Sequence, residues 1–405
     1  MRRTTLALAL SVLILVEIYG CGHAEQGIPS RSAEAQAAAA SGCGRQAIER
    51  DGQCLGATPV EIRAREVRFR SKATAGGQLW LRGTITEPVG RPTGTKLPGV
   101  VLVHGSGPMG RDGWVTGDIK GHFERPIAVL RDIAEALSAS GYVVLRYDKR
   151  TCTRRSDGLL DNELGQTERP SPHCGYPPEV ALSATWQDLL GDVEAGADHL
   201  AAQPSVDSRD VILVGYSQGT TLALQARQKN GAPFREVVLL AGTFGPIDDV
   251  ILRQVRWQLN IMAEHMPTQQ LQGAIGRLSK TESTFRDIRA GQRDEREIFL
   301  NAPVSFWRDW IWATGQTLEL LREREGPLFY MVGSDDQNAC GQDHASFLGA
   351  LKGKEDAEVA LVGGLSHALH SRAEGSGRVH QAATRLIVKW LSRPGGLERG
   401  RDAQR

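Results

Sequence analysis

Six short apolar runs, residues 100–103, 142–145, 211–214, 237–240, 328–332 and 359–362, punctuate the chain without any internal polar alternation. A strand with no polar face is covered on both sides, as happens in a parallel sheet held between two helical layers. Stretches of helical length stand between the runs, at 126–140, 179–202 and 220–229, and after the last of them, at 379–391. Such alternation demands crossover connections, which leave neighbouring strands parallel. Ahead of the first run, residues 67–70 and 79–81 alternate apolar with polar around Gly76-Gly77, the pattern of an antiparallel hairpin with one wet face. The expected fold class is therefore α/β: a mostly parallel sheet with helices on both faces and antiparallel first strands. Residues 245–325 interrupt the rhythm, with no convincing strand and four tryptophans, Trp257, Trp307, Trp310 and Trp312. They are expected to form a helical cap over the carboxyl ends of the strands, where sheets of this kind bind ligands.

The third apolar run leads directly into Gly215-Tyr216-Ser217-Gln218-Gly219 and then into a helix-compatible stretch. A turn this tight between strand and helix accepts only glycine two residues either side of its tip, and it lifts the tip side chain above the sheet. A serine hydroxyl is a poor nucleophile at neutral pH, so Ser217 needs a base and a group that orients the base. Two later strand-end loops offer them: Gly333-Ser334-Asp335-Asp336 after the fifth run, and Gly364-Leu365-Ser366-His367 after the sixth. The expected set is Ser217, His367 and Asp336, with Asp335 and His370 as competitors. Hydrolysis also requires donors for a developing oxyanion. The backbone N–H of Gln218, which follows the serine, is one candidate. Ser106, in His104-Gly105-Ser106-Gly107-Pro108 just past the first run, is the other, with Gly107 next and His104 read as structural.

These segments, together with residues 104–112, Arg146-Tyr147-Asp148-Lys149-Arg150-Thr151 and Ser305-Phe306-Trp307-Arg308, resemble the α/β-hydrolase carboxylesterases related to the S9 prolyl-oligopeptidase catalytic domain. The resemblance covers residues 65–392. It implies an α/β-hydrolase fold, no cofactor, and hydrolysis of small-molecule esters with short acyl groups through an acyl-enzyme. Tyr216, Gln218, Thr220 and Asn338 depart from the commoner residues of that family. Asp148 and Arg150 are expected to tie loops together by an ion pair, and Trp307 and Trp310 to fill the core of the cap. An S9-like peptidase is the alternative enzyme, disfavoured because the segment before the domain is too short to enclose a peptide-sized chamber. A non-catalytic envelope binding protein is the alternative of another class, and retention of all three side chains argues against it.

The remaining segments concern location. Met1-Arg2-Arg3 and an apolar stretch from Leu6 to Val16 have the form of a signal peptide, and Ile18-Tyr19-Gly20-Cys21 resembles a bacterial lipobox. Residues 1–21 are thus expected to direct export and to leave Cys21 lipidated, anchoring the protein to a membrane of the bacterial cell envelope; plain secretion is the alternative. Residues 22–60 are expected to form an Ala-, Ser-, Glu- and Gln-rich tether with Cys43 and Cys54, residues 61–392 the hydrolase domain, and 393–405 a disordered tail. Five cysteines remain after Cys21; the sequence does not fix their pairing, and proximity in the chain suggests Cys43 with Cys54 and Cys152 with Cys174, leaving Cys340 free. No C-x-x-C or H-E-x-x-H occurs, so no metal is expected. Lys and Arg number 48 against 47 Asp and Glu, which lacks the basic excess that a nucleic-acid partner requires.

Overall fold

The computed structural model describes residues 48–50, 53–55 and, from 60 to 393, all except 75–76, 119–120, 154–173, 229–233, 337 and 340. Strands β1 (Ile48–Arg50) and β2 (Gln53–Leu55) form a small antiparallel pair. They precede the hairpin of β3 (Ile62–Arg70) and β4 (Trp80–Pro88), whose alternating burial is the expected wet-faced pattern along β3. Next come β5 (Leu97–Val103), a second hairpin of β6 (Trp114–Asp118) and β7 (Gly121–Ala128), then α1 (Val129–Ala139) and β8 (Val143–Tyr147). Helices α2 (Pro178–Leu182) and α3 (Trp186–Ala201) lead to β9 (Val206–Tyr216), α4 (Gln218–Gln228) and β10 (Phe234–Leu240).

Two of the expected helices are shorter than their patterns suggest. Residues 126–128 end β7, which pairs with β6, instead of joining α1. The stretch 179–202 breaks at Thr185, where a capping box restarts the helix: Asp188 N–H donates to Thr185 Oγ1 at 3.1 Å, and Thr185 N–H donates to the Asp188 carboxylate at 2.9 Å. Such reciprocal capping satisfies two of the four orphan donors of a helix start.

The interval after β10 holds α5 (Ile247–Ala263), α6 (Thr268–Arg289), α7 (Val304–Gly315) and α8 (Thr317–Glu323). It is helical as expected, apart from the two-residue strands β11 (Ile298–Phe299) and β12 (Ala302–Pro303) between α6 and α7. The chain closes with β13 (Leu328–Gly333), α9 (Gly341–Ala350), β14 (Ala357–Val362) and α10 (Gln381–Leu391).

Eight strands form one sheet in the order β14-β13-β10-β9-β5-β8-β4-β3. The pairs from β8 through β14 are parallel, and β4 runs antiparallel to both of its neighbours. Successive residues of a strand face opposite sides. Val100 and Leu102 accordingly join Leu130, Ile133 and Ile387 beneath α1 and α10, while Val101 and Val103 join Leu189, Val193 and Leu222 beneath α3 and α4. Each such buried aliphatic side chain contributes about 1.5–3 kcal/mol. The chain leaves β5 for β8 on one side and returns to β9 on the other, so the order reverses between β5 and β9. That switch point opens a crevice at the strands' carboxyl ends.

The cap is attached on the α3 side by stacked aromatic rings. Trp310 lies 6.1 Å from the fully buried Trp186 of α3, with planes 16° apart, and 5.3 Å from Trp307. Both tryptophans belong to the core, as the sequence suggests, and Trp307 Nε1–H donates to Phe299 O at 2.6 Å. Trp310→Ala should cost about 3–5 kcal/mol by emptying this joint. Urea unfolding would show it as a lowered midpoint, and a loss below 1 kcal/mol would mean that the cap is held elsewhere.

Candidate active site

Ser217 is the single residue between β9 and α4, and it has φ +52°. The two flanking glycines are required by close approach. A Cβ on Gly215 would stand 2.3 Å from Gly219 O, and one on Gly219 only 2.4 Å from Val103 O. The bare backbone thus lets α4 fold back on β9 and press against the end of β5. Ser217 N–H donates to Leu240 O at 2.9 Å, and Ser217 O accepts from Thr220 N–H and Oγ1–H at 2.9 and 2.7 Å, so the turn is tied to β10 and to its own helix.

Past β13 the chain turns sharply, with Asp336 N–H donating to Gly333 O at 3.1 Å. The Asp336 carboxylate is buried and accepts from the N–H groups of Asn338 and Ala339 at 2.9 and 3.1 Å. Both of its oxygens lie 3.0 Å from His367 Nδ1, and His367 Nε2 lies 3.1 Å from Ser217 Oγ. An ionised carboxylate has no proton to give, so Nδ1 carries the hydrogen and Nε2 is left to accept from the serine hydroxyl. Ser217, His367 and Asp336, drawn from three separate loops, therefore stand in one hydrogen-bonded line. Asp335, the competing acid, is half-buried, with its N–H on Leu365 O and its carboxylate 3.4 Å from Ser334 Oγ. His370, the competing histidine, is buried and packs its ring 5.1 Å from Phe123.

The loop after β5 lies against this turn: a Cβ on Gly105 would be 3.3 Å from Ser217 Cβ. Ser106 follows in that loop, and its N–H donates to no protein acceptor among the described residues. Gln218 opens α4, where the first N–H groups have no intrahelical acceptor. Gln218 thus adjoins the serine in the chain, and Gly105, the residue before Ser106, approaches it in space. His104 is fully buried and directs Nε2 at Tyr147 O. Burial lowers its pKa to about 4 against the pull of that carbonyl, so at neutral pH the ring is a neutral donor, in keeping with a structural part.

Asp148 and Arg150 are both buried in ion pairs, though not with each other. Asp148 takes a two-pronged contact from Arg111, at 3.0 and 2.8 Å, and also accepts Arg111 N–H at 3.0 Å, which ties the loop after β8 to the loop after β5. Arg150 pairs with Asp188 and Asp192 of α3. Between them lies Lys149, a residue that sequence reasoning passed over. Its ammonium donates to Gly105 O at 2.8 Å and to Gln218 Oε1 at 2.7 Å. Cys152 and Cys174 form a disulfide with Cα atoms 4.9 Å apart, matching one expected pair; Cys21, Cys43 and Cys340 lie outside the described residues. Among the described residues no group of three His, Cys, Asp or Glu could hold a metal ion, and no helix is long and apolar enough to cross a membrane.

Fold and sequence together identify the class. The chain belongs to the alpha/beta hydrolase family, whose pattern it matches over residues 100–375. It is 25% identical to Esterase EstD of Thermotoga maritima over 332 residues, covering 77% of this chain and 65% of that protein. Among solved structures it is similar to the acylaminoacyl peptidase of Pyrococcus horikoshii, with a TM-score of 0.50 and 16% identity over 82% of this chain and 42% of that one. The chain thus spans under two thirds of either relative, and the second likeness is one of fold.

His104 makes a pH prediction. Its proton is held near pH 6.5 in the unfolded chain and only near 4 in the folded one, so in that window the unfolded state binds more protons. Stability contributed by this residue is full above pH 6.5 and is lost as pH falls toward 4, on the order of 3 kcal/mol in all. The loss of unfolding free energy between pH 7 and 4.5 should therefore be smaller in His104→Gln than in the wild type by about 2–3 kcal/mol. Identical losses would mean that the imidazole is not shielded.

Proposed function

We propose that this hydrolase is a serine esterase that cleaves carboxylic esters with short acyl groups, as the family resemblance of its motifs suggests. The observation that carries the reading is the unbroken line from Ser217 Oγ through His367 to the buried Asp336. In the proposed reaction His367 Nε2 takes the hydroxyl proton as Oγ adds to the ester carbonyl carbon. The carbonyl oxygen becomes an alkoxide facing the Ser106 and Gln218 N–H groups. The imidazolium returns that proton to the leaving alkoxide, the carbon–oxygen bond breaks, and the acyl group stays on Oγ. Water, deprotonated by the same nitrogen, adds to the acyl carbon; the carboxylic acid departs and the serine regains its proton. Asp336 keeps His367 in one tautomer and orientation throughout. The likeness to an esterase over 332 residues supports an ester as substrate.

The proposal extends to an oxidising compartment, reached through the leader, with Cys21 as the membrane anchor. The Cys152–Cys174 disulfide supports it, because such bonds persist in the cell envelope and outside the cell.

Ser217→Ala should lower kcat/KM for a short-chain aryl ester by about 10³-fold or more. Asp336→Asn should cost about 10²–10⁴-fold, and Asp335→Asn no more than about threefold. Retention of a tenth of wild-type activity in Ser217→Ala would remove the serine from the reaction, and a reversed ranking of the two aspartates would move the acid. Cleavage of peptide amides in preference to esters would turn the reading to a peptidase.

A further inference from the structure

We propose that Lys149 is a positioning residue that sets both donors of the oxyanion hole by gripping the Gly105 carbonyl and the Gln218 side chain with one buried ammonium. The inference rests on the serine-esterase reading and assigns a role that the reading leaves open: what holds two donors from different elements in register.

The Gly105 carbonyl and the Ser106 N–H belong to the same peptide unit. That unit is planar and trans, since no described peptide bond is cis, so its C=O and N–H point to opposite edges. Lys149 Nζ, 2.8 Å from the oxygen, therefore fixes the direction of the Ser106 N–H without touching it. A cation on the carbonyl oxygen also polarises the amide, which makes its N–H a stronger donor. The other contact, 2.7 Å to Gln218 Oε1, holds the side chain of the residue whose backbone N–H is the second donor. Gln218 is the residue at which the chain departs from the commoner choice after the serine, and an amide oxygen there gives the ammonium an acceptor that an aliphatic side chain lacks.

Lys149 is itself firmly based. Its N–H donates to Met109 O at 3.2 Å, and its carbonyl accepts from the N–H of the disulfide-bonded Cys152 at 2.8 Å. Two ion-paired neighbours flank it, Asp148 on Arg111 and Arg150 on α3. Thr151 Oγ1–H donates to Gly107 O at 3.0 Å, so the loop after β8 contacts the loop after β5 at successive points. Loosening one donor of an oxyanion hole acts on the transition state and leaves ground-state binding nearly intact.

The test uses the full chain and two probes: a short-chain aryl ester, and a trifluoromethyl ketone that adds to a serine to give a tetrahedral oxyanion. Lys149→Met should lower kcat about 10- to 100-fold with KM within threefold, and the inhibition constant of the ketone should rise by the factor by which kcat/KM falls. A merely structural lysine would leave the ketone's affinity in step with KM instead. A folded Lys149→Met with kcat within twofold of wild type, or with an unchanged inhibition constant, would overturn the proposal. If that variant does not fold, Gln218→Met decides: it should lose three- to tenfold in kcat with a parallel rise in the inhibition constant, and wild-type values for both would overturn it. Labelling of wild-type Ser217 by a fluorophosphonate separates the two levels, since its absence would sink the esterase reading and its presence alongside an unaffected Lys149→Met would sink this one alone.

Discussion

The backbone at Ser217 is held in the left-handed region, at φ +52°, where a residue with a side chain costs about 1–2 kcal/mol relative to the ordinary helical conformation. That cost is offset by what the turn makes possible. Because Gly215 and Gly219 carry no Cβ, β9, α4 and the end of β5 meet at van der Waals distance. The serine is thereby raised at the switch point of the sheet, next to the loop that begins at His104. A side chain at Gly215 would push α4 away from β9, and one at Gly219 would push it away from the end of β5.

The other groups converge on that point from strands on both sides of it. β13 and β14 end in the loops that bring Asp336 and His367 from one flank, and β8 ends in the loop of Asp148, Lys149 and Arg150 from the other. The charged residues of this second loop are buried, and each is partnered: Asp148 by Arg111, Arg150 by Asp188 and Asp192. Removing one member would strand a charge in a dry interior, at a cost of about 3–5 kcal/mol. Their position beside the serine, rather than in contact with its base, is that of a frame. Helix α5 also reaches the loop after β13, where Gln254 Nε2–H donates to Asn338 O at 3.1 Å, two residues past Asp336.

How much of this is legible in the sequence follows from the range of the interactions involved. Five of the six parallel strands are legible because burial on both faces leaves unbroken apolar runs; the sixth, β14, has such a run although it is the edge strand and exposes Leu361, and each run falls within or one residue beyond an observed strand. The order of Ser217, Asp336 and His367 is legible because each follows a strand and carries a chemically distinctive side chain. The hairpin of β6 and β7 is not, since residues 114–128 mix Trp114, Phe123 and Ile127 with charged residues in neither period. Helix α9 is missed for a similar reason, its stretch 341–350 having small residues in place of a strong apolar stripe. The part played by Lys149 could not be read locally, because its two acceptors lie 44 and 69 residues away. The charged run 146–151 at the mouth of a fully buried strand was the one signal available for it.

The proposed reaction requires a covalent acyl group to pass through Ser217. Mixing the protein with an excess of an activated short-chain ester, quenching in acid within the first turnover and mapping the peptides by mass spectrometry measures this directly. One acyl mass is expected on the peptide that contains Ser217, accumulating to no more than one group per chain. Hydrolysis of the ester with no adduct at any time, or an adduct on a different residue that forms and decays at the turnover rate, would contradict it.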